Sequence, residues 1–142
     1  MSLNRRTFLG RSAALATTSL MPMAVLAADS IKLGSILDTS GPFDAYGKPM
    51  DQAMRLAVSE INEAGGLLGR QVEVTAYDTQ SDMALYSQYG QQLTRQDHVD
   101  VVHGGILSAS REAIRQTMRK TNTLYFYNVL YEGGVCDRNI FI

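Results

Sequence analysis

Met50, Ala53, Met54, Ala57, Ile61 and Ala64 recur at spacings of three and four, while Asp51, Arg55, Ser59 and Glu63 fall between them. At the helical period of about 3.6 residues, the first set shares one face and the second lies opposite. The pattern predicts an amphipathic helix from about Gly47 to Ala64. Gly65 is placed to stop it, because the residue just past a helix end often takes positive φ, which glycine adopts without steric cost. Gly66 and Gly69 then allow a tight reversal into the strand-like Gln71-Val72-Glu73-Val74.

The same signals recur along the chain. Ile31 to Leu37 alternates and then turns apolar, as a strand entering a core does, and Asp38-Thr39-Ser40-Gly41-Pro42 breaks it with turn chemistry. Val72 to Tyr77 is a second strand, after which Ser81-Asp82 caps a helix whose Leu85, Tyr89 and Leu93 share a face. Val99 to His103 reads as a third strand. A helix with Ala109, Ala113, Ile114 and Thr117 facing inward runs on to Thr121, and Leu124 to Tyr127 follows as a fourth strand. Ile140-Phe141-Ile142 reads as the start of a fifth.

Strict alternation of strand and helix with short connections implies right-handed crossovers. The expected fold is therefore α/β, a doubly wound parallel sheet covered by helices on both faces. In such sheets the ligand crevice lies beyond the carboxyl ends of the strands, which directs attention to the loops after Leu37, Tyr77, His103 and Tyr127.

Charge and cysteine usage narrow the picture. Residues 1–27 read as a cleavable export signal: Asn4-Arg5-Arg6-Thr7-Phe8-Leu9-Gly10 is a twin-arginine n-region, Ser12 to Leu20 is weakly apolar, and Val25-Leu26-Ala27 suits signal peptidase. The apolar run falls short of the roughly 20 residues that span a bilayer. No cysteine follows the cleavage position, so no lipid anchor is expected. Twin arginines favour the Tat route, although Sec signals also carry paired arginines.

Removing that segment and its three arginines leaves 10 basic and 14 acidic side chains on residues 28–142, a net charge of about −4. Nucleic acid is not an expected partner. The row Arg111, Arg115, Arg119 and Lys120 reads as a solvated helix face. Cys136 is the only cysteine, so no intrachain disulfide is available in this sequence.

The loop His103-Gly104-Gly105-Ile106-Leu107-Ser108-Ala109-Ser110-Arg111 carries the chemistry that stands out. First-turn helix amides lack intrahelical acceptors and suit an anion or a carbonyl oxygen, glycines allow close approach, and Ser108 adds a hydroxyl. A plainer account fits the same residues: Ser108 as a helix N-cap and the glycines as a tight turn. Enzyme chemistry is less well supplied. Asp38 at the end of the first strand has no acidic or lysine partner arranged in the sequence and suits turn capping. His98 and His103 lack a third ligand at metal spacing, and no G-x-G-x-x-G, Walker or G-x-S-x-G motif occurs.

The wording of Ile61-Asn62-Glu63-Ala64-Gly65-Gly66-Leu67-Leu68-Gly69-Arg70 resembles the first helix–strand connection of type I periplasmic binding proteins, the branched-chain amino acid and amide-urea binding family of ABC importers. The resemblance extends over essentially residues 30 to 142, and it is similar to the opening part of such proteins, an incomplete N-terminal lobe. It implies that Ser108 and the backbone at Ile106 hold one polar end of a solute. It also implies that Tyr127-Asn128-Val129-Leu130-Tyr131-Glu132-Gly133-Gly134 is a second binding segment, with Tyr127, Val129 and Tyr131 at the pocket. Val129 offers only backbone there, and Ile106 makes the floor apolar. Packing alone accounts for Tyr125 and Phe126.

What the resemblance implies for function is a non-enzymatic substrate-binding component, without cofactor or metal, that works in the periplasm beside an ABC importer permease. The solute expected is a branched-chain amino acid or a short amide or urea. A periplasmic sensor or receptor domain of the same fold is the alternative.

Overall fold

The computed structural model describes residues 29–142, so the export signal expected over residues 1–27 lies outside the described residues. Four strands and three helices alternate along the chain, followed by a short fifth strand. They are β1 (Ile31–Leu37), α1 (Asp44–Glu63), β2 (Val72–Asp78), α2 (Met83–Arg95), β3 (Val101–Gly104), α3 (Ser108–Thr121), β4 (Leu124–Tyr127) and β5 (Ile140–Phe141). The strands form one sheet in the order β2-β1-β3-β4-β5, and every pair is parallel. The expected α/β architecture is what the chain adopts.

Register decides which side chains meet which helix. Gly34 pairs with Val102 and Val102 with Tyr125, so these residues and Ile36 point to one face of the sheet. There α2 and α3 pack on each other and close the main core, in which Ile36, Tyr86, Leu93, Val102, Ile114, Met118 and Tyr125 are fully buried. Each such large apolar side chain contributes roughly 1.5 to 3 kcal/mol by leaving water.

Among the described residues, the other face carries only α1, which lies on β1 and β2. Met54 is buried there, but Ala53 and Ala57 stay exposed, so the apolar stripe read from the sequence is only partly covered. Met50, Ala53, Met54, Ala57, Val58 and Ile61 instead line a groove beside Leu33, His103 and Asn128. Leu124, Phe126 and Phe141 on the same face are 44%, 46% and 43% exposed, and Phe126 packs by stacking on Phe141, with ring centres 5.2 Å apart.

Several element boundaries differ from the sequence reading for local reasons. Helix α1 begins at Asp44 rather than Gly47, because the Asp44 and Gly47 amides already bond to Gly41 O and Phe43 O, and Asp44 pairs with Lys48 at 2.5 Å. Strand β3 starts at Val101 because the residues before it serve the turn. The Val99 amide donates to Leu93 O, and the Asp100 carboxylate accepts from the Lys32 amide at 2.9 Å. Asp82 caps α2 as expected, accepting from the Ala84 and Leu85 amides, whereas Ser81 instead accepts from the Phe43 amide.

The inward face of α3 is Ser110, Arg111, Ile114 and Met118; Ala109 is exposed. The expectation that Arg111 heads a solvated row is wrong, since only 1% of its surface is accessible.

Candidate functional site

Two carboxylates knit the loops at the carboxyl edge of the sheet. Asp38, 1% exposed, accepts from the Thr79 hydroxyl and from the Ser81 amide, so β1 holds the β2–α2 turn. Asp78 reciprocates, accepting from the Ser40 amide at 3.1 Å, the Ser40 hydroxyl at 2.6 Å and the Gln80 amide at 3.1 Å. Burial pulls the Asp78 carboxyl upward, but these hydrogen bonds outweigh it and hold the group below its ordinary range. Asp38 is thus a turn-holding residue and not a nucleophile.

Gly104 and Gly105 take φ values of +127° and +85°, a conformation that side chains with a Cβ rarely adopt. Their neighbours explain the residue type. A Cβ on Gly104 meets the Ile36 carbonyl, and one on Gly105 lies 2.9 Å from the Tyr127 ring. Both amides are also in use, Gly104 N donating to Asn128 Oδ1 at 2.7 Å and Gly105 N to Ile36 O at 2.8 Å. The glycine pair therefore admits β1 and two tyrosines, and its two amides are bonded within the chain.

Ser108 falls the other way. Leu107 occupies the cap position of α3 without any side-chain cap bond, and its carbonyl accepts from the Ser110 and Arg111 amides at 2.8 and 3.2 Å. Ser108 is the first helical residue, so its hydroxyl is not consumed in capping. It donates to Glu132 Oε2 at 2.8 Å, bridging the loops after β3 and β4.

The remaining sequence-predicted residues cluster around that bridge in different states. Ile106 is 7% exposed, and its carbonyl accepts from the Tyr127 hydroxyl at 2.8 Å. Tyr127 is 2% exposed, with its ring in the main core. Val129 and Tyr131 are half-buried and pack on that core, while Leu130 between them is 81% exposed.

Tyr131 is held by a network that spacing did not reveal. The Arg111 guanidinium lies 3.8 Å from the centre of the Tyr131 ring, donates to Glu112 Oε1 at 2.7 Å and to Val135 O at 3.0 Å. The Tyr131 hydroxyl donates to the same Glu112 oxygen at 2.7 Å, and Arg115 reaches the other at 2.6 Å. Burial pulls the Glu112 carboxyl upward; the bonds from Tyr131, Arg115 and Arg111 outweigh it and keep the group below its ordinary range. Local spacing gave no signal for Arg111, and Glu132 was visible only as part of the Tyr-Glu-Gly wording.

His103 accounts for itself structurally. It sits on β3 facing α1, 3.2 Å from Ser35 Oγ, and burial pushes its pKa below the ordinary value despite Asn128 and Asp51 nearby. No cluster of three or more His, Cys, Asp or Glu side chains suited to a metal occurs among the described residues.

A parallel sheet with polar and aromatic groups gathered beyond its strand ends is the arrangement in which α/β folds place their ligand crevices. Residues 30–142 match the family model for periplasmic binding proteins, and the chain belongs to that family. Among curated proteins it is similar to Leu/Ile/Val-binding protein homolog 7 of Brucella melitensis, at 25% identity over 127 residues that make up 89% of this chain and 32% of that protein. The chain therefore spans about a third of the length of the curated relatives it matches.

Among solved structures it is similar to the branched-chain amino acid transporter substrate-binding protein LivJ from Streptococcus pneumoniae, crystallised with isoleucine. Identity is 31% and the TM-score 0.71, covering 73% of this chain and 30% of that one. It is also similar to an amino acid ABC transporter substrate-binding protein from Pseudomonas fluorescens, at 26% identity and a TM-score of 0.69 over 80% of this chain and 31% of that one. These relatives are binding proteins, in keeping with the preference for binding over catalysis drawn from the sequence.

Proposed function

We propose that this chain forms part of the substrate-binding component of an ABC importer, capturing a small polar solute, a branched-chain amino acid or a short amide or urea, and presenting it to a membrane permease. The observation that carries the proposal is the Ser108 hydroxyl, which stands at the start of α3 on the carboxyl edge of the sheet, free of capping duty and 2.8 Å from the loop after β4. A side chain placed there can exchange its internal partner for a solute.

Ile106, Tyr127, Val129 and Tyr131 support Ser108 in different ways. Tyr127 fixes the Ile106 carbonyl, and Val129 and Tyr131 form the floor of the second loop. The matched segment is about a third of the length of relatives named for amino acid binding, so closure of a second lobe over the solute would complete the hydrogen-bond cage. Residues 1–27 would direct export by the twin-arginine route, with cleavage after Ala27 releasing an unanchored periplasmic protein.

Uptake of labelled solute tests the proposal. Cells deleted for the gene should lose high-affinity uptake of a branched-chain amino acid or short amide, regain it with the wild-type gene, and fail to regain it with Ser108→Ala. Unchanged uptake of every such solute in the deleted strain would argue against it.

A further inference from the structure

Arg70 closes the turn between α1 and β2 at the amino edge of the sheet, opposite the loops proposed to hold solute. The turn fixes its backbone. Leu67 N donates to Arg70 O at 2.8 Å and Arg70 N to Leu67 O at 2.9 Å, and a Cβ on Gly66, at φ +82°, would meet the Arg70 carbonyl. From that anchor the half-buried guanidinium donates through Nε to Asp29 O and through Nη2 to Ser30 O, the latter at 3.0 Å. One cation therefore holds the two residues that precede β1.

The chain after them is fixed by the sheet itself. Ile31 N donates to Gln71 O at 2.8 Å, and β1 lies between β2 and β3. With Asp29 and Ser30 held, one residue separates the anchored chain from the cleavage position expected after Ala27, a reach of at most about 4 Å; with both released, three residues reach about 11 Å. Ala28 and the bond before it lie outside the described residues. Hydrolysis there adds water across the Ala27–Ala28 amide, leaving a carboxylate on Ala27 and an ammonium on Ala28. The endopeptidase must lay residues on both sides of that bond, extended, into its cleft, and a folded body so close obstructs it.

We propose that Arg70 is a clamp that sets the rate at which the folded precursor is processed, by holding Asp29 and Ser30 back from the peptidase. The inference rests on the export signal and cleavage position proposed above. Processing then follows the fraction of molecules in which the clamp is open.

Folded full-length precursor incubated with purified signal peptidase in detergent tests it, with the new N-terminus read by mass spectrometry. Arg70→Gln should be cut about threefold to tenfold faster than wild type, the range that solvent-screened hydrogen bonds from a charged group allow. A precursor with Gly-Ser-Gly-Ser inserted between Ala28 and Asp29 keeps the clamp but gains reach. It should be cut as fast as R70Q and gain nothing more from that substitution, and it carries the test where R70Q folds poorly. Equal rates for wild type, R70Q and the extended precursor, with cleavage after Ala27 in each, overturn the inference and leave the export reading intact. No cleavage after Ala27 in any of them overturns both.

Discussion

Replacing Arg111 by alanine tests how the second loop is held. Arg111 is 1% exposed, and three contacts fix it: a hydrogen bond to Val135 O at 3.0 Å, a pair with Glu112 at 2.7 Å and a stack on Tyr131 at 3.8 Å. A hydrogen bond from a charged group contributes about 1.5 to 3 kcal/mol, and a desolvated cation–π contact about 2 kcal/mol. The Glu112 pair counts for less, because the Glu112 side chain is 35% exposed and solvent screens it.

Against these stand the desolvation of the guanidinium and its Nε, which is buried without a partner; alanine relieves both. The net loss expected is about 2 to 4 kcal/mol, a large part of the roughly 5 to 15 kcal/mol that stabilises a typical domain. Urea unfolding followed by far-UV circular dichroism measures it. Arg111→Met, which keeps the stem, should lose less. A double-mutant cycle with Tyr131→Leu should show coupling of at least about 0.5 kcal/mol. An Arg111→Ala protein within about 0.5 kcal/mol of wild type would mean that the network is decorative.

Other consequences follow from the same geometry. Gly47→Ala places a methyl against the Asp38 carbonyl and should destabilise by about 1 to 3 kcal/mol, read from the same unfolding curves. His103 is pushed below its ordinary pKa of 6.5 by burial, so the unfolded chain binds the proton more readily; stability should hold above pH 6.5 and fall as pH drops through that value toward the lower folded pKa. His103→Gln should flatten that part of the profile, and an identical slope in the variant would reject the assignment. Phe126→Lys, on the partly exposed apolar face of β4, should reduce concentration-dependent association of the 142-residue chain in sedimentation experiments, and no change would show that this face is not adhesive.

The parts of the fold that were legible were those written in local periodicity. The period of α1, the strand alternations, the Asp82 cap and the parallel alternation all depend on neighbours within a few positions. What was not legible depends on residues far apart in sequence. Arg111 shares its i, i+4 spacing with solvent-facing Arg119, and only Tyr131 and Val135, arriving after β4, explain its burial.

The Gly104-Gly105 turn was visible, but its cause lies in Ile36 and Tyr127 on other strands. Ser108 looked like a cap by spacing because helix boundaries are uncertain by a residue or two; with Leu107 in the cap position, its hydroxyl is left to bond Glu132. The apolar stripe of α1 was correctly read as a face, yet periodicity says nothing of what covers it, and Ala53 and Ala57 remain open.

The central claim is that solute is held where the loops after β3 and β4 meet, between Ser108 and the segment from Tyr127 to Glu132. Hydrogen exchange of the full-length protein, with and without a saturating branched-chain amino acid or short amide, tests it most directly. Protection gained at the amides of residues 106–109 and 128–132, and lost in Ser108→Ala at the same solute concentration, is the predicted result. Saturable binding that leaves both segments unprotected would contradict the account.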